Sequence, residues 1–196
     1  MKKLSKKEKK RIDEDARSLS FSYTFLYIAT IIFYVSLNSF TFYVFDMKFS
    51  YNIFILPFIF FLIDVILKEV GYKSGVIATI IGTIMFVVMN FLLDLIFGEN
   101  FTLDSYFGIC FAFFISNFLN LLIYNYMLAN FKTPLPLVII NLVFACLIYN
   151  LFYYLVTLNL SFTTTLWSSF LAVTGIEVLI CAICGILINL VQRGVD

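Results

Sequence analysis

Two carboxylates interrupt otherwise apolar stretches of this chain, and carboxylates in such places can do chemistry. A third, Asp94, lies near the end of such a stretch, where its side chain can reach the membrane interface. Asp64 lies in the run LPFIFFLIDVILKEVGYKSG, and Glu177 lies about midway along the last apolar stretch. An ionisable side chain inside a membrane costs at least about 2.5 kcal/mol, so it faces the protein interior, a partner group or a water-filled path. Such a group can bind a cation, a proton or a ligand that donates hydrogen bonds. Both residues are therefore candidates for a functional site.

Asparagines follow helical spacing in the same apolar stretches. Asn117 and Asn120 are three residues apart, which places them on one face of a helix, and Asn150 lies beside Tyr149. Amide side chains of this kind either bridge helices, at about 0.6 kcal/mol each, or line a site. We predict that a substrate site lies between helices and is bordered by Asp64, Asn117, Asn120, Asn150 and Glu177. Interhelical bridging stays the alternative for each asparagine.

Asp64 has a second interpretation, because Lys68 follows it by four residues. This spacing permits an ion pair on one face of a helix. A local salt bridge near the membrane surface is therefore left open for Asp64. No basic residue lies near Glu177 in the sequence, so its partner must come from another helix, from water, or from a bound cation or proton.

Six apolar stretches must position these side chains, in a chain that is 62% hydrophobic and 13% charged. Five of them run about 20 residues or more and the sixth is slightly shorter, which matches the length of a helix that crosses roughly 30 Å of hydrocarbon. The strands of a membrane β-barrel are shorter and alternate apolar with polar residues, which these stretches do not. We predict an all-α, polytopic membrane protein: a basic tail over 1–20, then one six-helix bundle over 21–193. The predicted spans are 21–45, 51–67, 74–97, 106–129, 136–157 and 164–191.

The basic residues predict the orientation of the bundle. Eight of the 13 lysines and arginines lie in the tail, and with six spans all but Lys48 fall on the side of the N-terminus. By the positive-inside rule, both termini are expected to be cytoplasmic, in a multi-pass protein of the cell's inner membrane. The tail is expected to contact the membrane surface. A nucleic-acid partner is not expected, because acidic residues dilute the charge of the tail.

Motifs of the common hydrolases and nucleotide-binding proteins are absent from the sequence, and so is histidine. Cys181 and Cys184 form a CxxC pattern, but a zinc site would need further Cys or His ligands. We expect these cysteines to be packing residues. The chain is accordingly predicted not to be an enzyme and to use no metal or other cofactor.

The segments SLNSF and ILPFIFFLIDVILKEVGYK resemble the first two spans of the putative vitamin uptake transporters, also called queuosine precursor transporters. In that family, a second span that contains proline ends in a motif like D-x-x-T-E-V-Y-G-Y-K. Looser similarity continues in AFFISNFLNLLIYNYML, ACLIYNLFYYL and GIEVLICAICGIL. The resemblance covers about 170 residues and implies a site residue at Asn38, besides Asp64.

This chain departs from the family pattern at several places, including a fifth-span aspartate that falls near Tyr149 or Asn150 and a tryptophan–arginine stretch that is missing before span five. A family glutamate falls on Lys68, a family aspartate falls on Asn120, and a lysine common in the last span falls on Glu177. One hypothesis is an ion pair with exchanged polarity between Lys68 and Glu177. The resemblance implies uptake of a small planar heterocycle, such as 7-cyano-7-deazaguanine or its aminomethyl relative.

Three functions remain in competition at this point. The first is an importer of such a heterocycle, driven by an ion gradient or by energising partner subunits. The second is a scaffold that transports nothing, such as a rod-shape determinant, and the third is the substrate-binding component of an energy-coupling-factor vitamin transporter. The expected partners are the lipid bilayer, the small-molecule substrate, and either further copies of the chain or energising subunits.

Overall fold

The computed structural model describes the backbone of residues 6–44, 47–97, 103–131, 135–157 and 164–193, and side chains within 17–43, 49–96, 107–131, 136–155 and 168–186. Its six helices are α1 (Lys6–Ser36), α2 (Leu56–Glu69), α3 (Tyr72–Phe97), α4 (Leu103–Asn130), α5 (Leu135–Thr157) and α6 (Thr164–Arg193). Six stretches within this helical framework are long and apolar enough to cross a membrane. The prediction of an all-α six-helix membrane bundle is confirmed.

The first helix differs from the predicted span 21–45 at both ends. It begins at Lys6, so most of the predicted tail is helical, and it ends at Ser36. A 3-10 turn (Leu37–Ser39) and an antiparallel hairpin of β1 (Thr41–Val44) and β2 (Met47–Ser50) follow. The sequence TFYV of β1 consists of β-branched and aromatic residues, which suit a strand. Apolarity alone does not distinguish such a segment from a helix.

The second predicted span, 51–67, is a 3-10 turn (Tyr51–Phe54) followed by α2. Pro57 lies in the first turn of α2, where its missing N–H leaves no hydrogen bond unmade. The helix stops before Gly71, whose φ of 108° lies in the left-handed region that favours glycine. The four later helices begin and end within three residues of the predicted bounds.

Helix α2 is the centre of the bundle and packs against each of the other five helices. Most of its side chains are buried, including those of Ile59, Phe60, Ile63 and Ile66. By contrast, α3 exposes a broad apolar face that includes Ile77, Ile84 and Phe91, as expected of a helix that faces lipid. Asp64, which precedes the exposed last two residues of α2, therefore lies in the interior of the protein.

The two ends of the bundle differ. We call the end with the β1–β2 hairpin the hairpin end, and the opposite end, towards the start of α1, the tail end. Since short connections join consecutive helices, their directions alternate. The hairpin end therefore holds the C-terminal parts of α1, α3 and α5 and the N-terminal parts of α2, α4 and α6. The predicted cytoplasmic location of the tail end stays a prediction.

Small residues let α3 approach its neighbours closely, and Gly75, Ala78 and Gly82 form a stripe of them along this helix. A Cβ atom added at Gly82 would overlap the ring of Tyr27 and lie 2.8 Å from Ile31 Cδ1. A Cβ at Gly75 would lie 2.7 Å from Leu121 Cδ1. The stripe therefore fixes how closely α3 packs on α1 and α4.

We expect Gly82→Ala to lower the free energy of unfolding by about 1–3 kcal/mol, since the added methyl group forces buried side chains to move. Thermal unfolding of the purified protein in detergent would measure the effect. Gly175→Ala is the matched control, because a Cβ at Gly175 on α6 meets nothing within 4 Å. Equal stability of the two variants would contradict this account of the α1–α3 contact.

Candidate functional site

A cavity with two adjoining lobes opens at the hairpin end of the bundle. The two lobes share five of their lining residues, which are Tyr34, Asn38, Asn52, Tyr149 and Tyr153. The lobe towards α6 has a volume of about 150 Å³, and the lobe towards α3 has a volume of about 40 Å³. One water needs at least about 10–15 Å³ on this scale, so the α6 lobe has room for several waters or a small ligand.

Glu177 is the acidic group of the α6 lobe. Its side chain is 1% exposed, and its Oε2 atom accepts a hydrogen bond from Asn150 Nδ2 on α5. Its Oε1 atom has no hydrogen-bond partner among the described residues. No lysine or arginine is among the described residues that line either lobe. A buried carboxyl group with a spare acceptor favours a ligand that brings a hydrogen-bond donor or a positive charge.

Tyrosine rings form the walls beside Glu177. The Tyr34 hydroxyl donates to the Tyr149 hydroxyl over 2.8 Å, and this bond joins α1 to α5. The rings of Tyr149 and Tyr153 are stacked with their centroids 5.9 Å apart. Aromatic faces of this kind bind planar rings by stacking and bind cations through their π electrons.

Hydrogen bonds join the 3-10 turn Leu37–Ser39 to the end of β2 and to the 3-10 turn Tyr51–Phe54 at the mouth of the cavity. Asn52 Nδ2 donates to Asn38 Oδ1 over 3.0 Å, and the Ser50 hydroxyl lies 3.1 Å from the carbonyl oxygens of Leu37 and Asn38. On the far side, the α3 lobe contains Asp94, whose Oδ1 atom is buried without a described partner. The cavity thus offers two carboxyl groups to a ligand.

A second polar cluster lies deeper in the bundle and joins α2, α4 and α5. Asn120 Nδ2 donates to Asp64 Oδ1 over 2.8 Å and to the Phe60 carbonyl over 3.2 Å. Asn141 Nδ2 donates to Asn120 Oδ1 over 2.7 Å and to Asp64 Oδ2 over 3.3 Å. All three polar side chains are at most 1% exposed. Along α5, nine residues separate Asn141 from Asn150, or about 13 Å.

The six predicted site residues fall in three places. Three of them line the α6 lobe of the cavity, namely Asn38, Asn150 and Glu177. Asp64 and Asn120 meet in the deeper cluster. Asn117 belongs to neither, since its Oδ1 accepts a hydrogen bond from the Tyr27 hydroxyl over 3.1 Å.

Lys68 takes no part in either predicted ion pair. It is exposed in the last turn of α2, whereas Asp64, four residues before it, is buried and bonded to amides. Glu177 lies in the cavity at the other end of the bundle. The i, i+4 spacing of Asp64 and Lys68 therefore does not produce an ion pair, because Asp64 is buried and Lys68 is exposed.

Several residues of the two sites were not predicted as ligands, namely Tyr34, Asn52, Tyr149 and Tyr153 in the cavity and Asn141 in the cluster. Tyrosines are too frequent in this sequence for any one of them to stand out. Asn141 offered a signal, since it is an amide inside an apolar helix. Its distance of 21 residues from Asn120 concealed the contact.

The cysteines pack in the core, as predicted for the CxxC pair. Cys146 Sγ on α5 lies 3.9 Å from Cys181 Sγ on α6, and Cys184 is also buried. Cys110 differs, since it is partly exposed and lines the α3 lobe. Within the described part of the chain, no three His, Cys, Asp or Glu residues are grouped as metal ligands.

Comparisons of this chain with known protein families, with curated proteins and with solved structures found no match.

Proposed function

We propose that the protein imports a small planar heterocycle across the cytoplasmic membrane and binds it in the hairpin-end cavity. The observation that carries the proposal is the free Oε1 atom of Glu177, buried in a cavity walled by tyrosines. A planar ring can stack on Tyr149 or Tyr153 while its N–H groups donate to Glu177. Binding and release are all that this arrangement requires, so no catalytic group is assigned.

A queuosine precursor of the 7-deazaguanine type fits this chemistry. Its pyrimidinone ring carries neighbouring N–H donors. Hydrogen bonds from such donors are stronger to a carboxylate than to a neutral acceptor. The aminomethyl form adds an ammonium group, which the two carboxyl groups and the tyrosine faces favour. The cyano form is neutral, so it can gain the stacking and the N–H hydrogen bonds but not this additional attraction. We therefore place the aminomethyl form first among the candidate substrates.

The predicted orientation agrees with import. If the basic tail is cytoplasmic, the hairpin end faces the outside, and the cavity opens where an external ligand arrives. A central α2 that contacts every other helix gives the bundle one element whose movement can change access to the cavity.

Rescue of cells that cannot make queuosine precursors tests the proposal. With low external precursor supplied, cells that express the chain are expected to recover queuosine in tRNA, measured by mass spectrometry of digested tRNA. Cells that express an equal amount of Glu69→Gln, changed at an exposed carboxylate on α2, should do the same. No recovery, with membrane insertion confirmed, would contradict the proposal. Recovery that requires added ATPase subunits would instead assign the chain to the substrate-binding component of such a transporter.

A further inference from the structure

We propose that Asp64, Asn120 and Asn141 form a proton-binding site, separate from the ligand cavity, at which transport is coupled to protons. The coupling role rests on the proposed import function, whereas the proton site itself does not. None of the three residues lines either lobe of the cavity. The three residues belong to α2, α4 and α5, which meet in the interior. A change in the charge of Asp64 therefore alters the hydrogen bonds between all three helices.

A count of hydrogen-bond donors and acceptors shows that the cluster has one donor too few. Asn120 uses its two amide hydrogens on Asp64 and on the Phe60 carbonyl, and Asn141 uses its two on Asn120 and Asp64. Asn141 Oδ1 then has no donor among the described residues, although the side chain is buried. Amide side chains are donor and acceptor at once, while an ionised carboxylate only accepts. One additional hydrogen, carried by Asp64, would balance the cluster.

A proton can supply that hydrogen without any other group. A protonated carboxyl group and a primary amide exchange two hydrogen bonds, from the amide N–H to the carboxyl oxygen and from the carboxyl O–H to the amide oxygen. Asn141 already faces Asp64 with its Nδ2 atom, 3.3 Å from Oδ2 and 3.5 Å from Oδ1. If this amide rotates while Nδ2 stays near Asp64 Oδ1, its oxygen can accept from the Asp64 hydroxyl and its second N–H can still donate to Asn120 Oδ1.

A metal cation fits the same cluster less well. Hard cations are bound by oxygen atoms. Here the amide of Asn120, which is held by the Phe60 carbonyl, directs its nitrogen atom at the carboxylate, so its N–H dipole would oppose a cation at that position. The arrangement stabilises either a carboxylate or its protonated form, and these are the two states of a proton site.

The neighbouring helices bring no basic group to Asp64 among the described residues. Tyr124 on α4 is the titratable side chain that interacts electrostatically with Asp64. On α1, the Tyr27 hydroxyl is bonded to Asn117, and on α3 Lys73 is exposed. Helix α5 has no charged residue, the 3-10 turn Tyr51–Phe54 has none, and Glu177 on α6 is bonded to Asn150. An ionised Asp64 would thus be a buried charge without a counter-ion, which a bound proton neutralises.

Infrared difference spectroscopy of the purified full-length protein tests the proton directly. The wild-type protein near neutral pH is expected to show the carbonyl stretch of a protonated carboxylic acid that Asp64→Asn lacks and Glu69→Gln retains. Glu177→Gln identifies any separate band of that residue. A spectrum that is unchanged in Asp64→Asn would overturn the proposal. Loss of the Asp64 band on adding sodium at constant pH would overturn it in favour of a sodium site.

Transport by protein in liposomes tests the coupling. With aminomethyl-7-deazaguanine as the probe and an acidic exterior, the wild type is expected to accumulate the ligand. Asp64→Asn should lose this accumulation yet still exchange labelled for unlabelled ligand without a gradient. Accumulation by Asp64→Asn at the wild-type level would overturn the coupling role. If the wild type moves no ligand at all, the proposed function fails, and the infrared result still decides the proton site.

Discussion

Glu177→Gln is expected to weaken the binding of aminomethyl-7-deazaguanine about 10- to 100-fold. A hydrogen bond to a charged group contributes about 1.5–3 kcal/mol, and each 1.4 kcal/mol is a factor of ten in affinity. Glutamine keeps the shape and can accept the bond from Asn150, but it cannot become the negatively charged partner of the ligand's ammonium group. Calorimetric titration of the purified protein would measure the loss of affinity.

Matched ligands and variants make this prediction specific. The cyano relative lacks the ammonium group, so Glu177→Gln should weaken its binding less. Asp94→Asn should have a smaller effect than Glu177→Gln, because Asp94 is less buried than Glu177. Equal losses for the two ligands would show that Glu177 does not recognise positive charge. Undiminished affinity for both would remove Glu177 from the binding site.

Asn120→Leu is expected to lower the free energy of unfolding by about 2–4 kcal/mol, since each buried group that loses its partner costs about 1–3 kcal/mol. Leucine has a similar size but cannot donate to Asp64 or to the Phe60 carbonyl, and it removes the acceptor of Asn141. Thermal or denaturant unfolding in detergent, compared with the wild type, would measure the change.

Asn130→Leu is the control for this variant. Asn130 ends the same helix, is exposed, and bonds its Nδ2 to the carbonyl of Tyr126. A surface change of this kind usually alters stability by less than about 0.5 kcal/mol. If Asn120→Leu were no less stable than Asn130→Leu, the three-helix cluster would not contribute to the stability of the bundle.

The sequence predicts the number of helices well, because the cost of an unpaired backbone in lipid leaves few alternatives for six long apolar stretches. It fails at 37–44, where aromatic and β-branched residues read as the end of a span but form a 3-10 turn and a hairpin strand. The segment, LNSFTFYV, is too short for its periodicity to separate a strand from a helix.

The candidate sites were predicted in part for a physical reason. The cost of a buried carboxylate singled out Asp64 and Glu177, and both are at most 1% exposed. Their assignment to one site does not follow from the sequence, because helices that are apolar all round do not reveal which faces meet. Asn141 pairs with Asn120 and Asp64 across two helix interfaces. Such a contact depends on the rotation of each helix, which composition does not encode.

The thiol of Cys110 can report whether the cavity is occupied. The other three cysteines of the chain are buried in the core, while Cys110 is partly exposed and borders the α3 lobe. A small water-soluble thiol reagent should therefore modify Cys110 first, and a ligand that fills the cavity should slow that reaction. Occupancy and access can thus be followed by labelling kinetics on the unaltered protein, without removing or adding a cysteine.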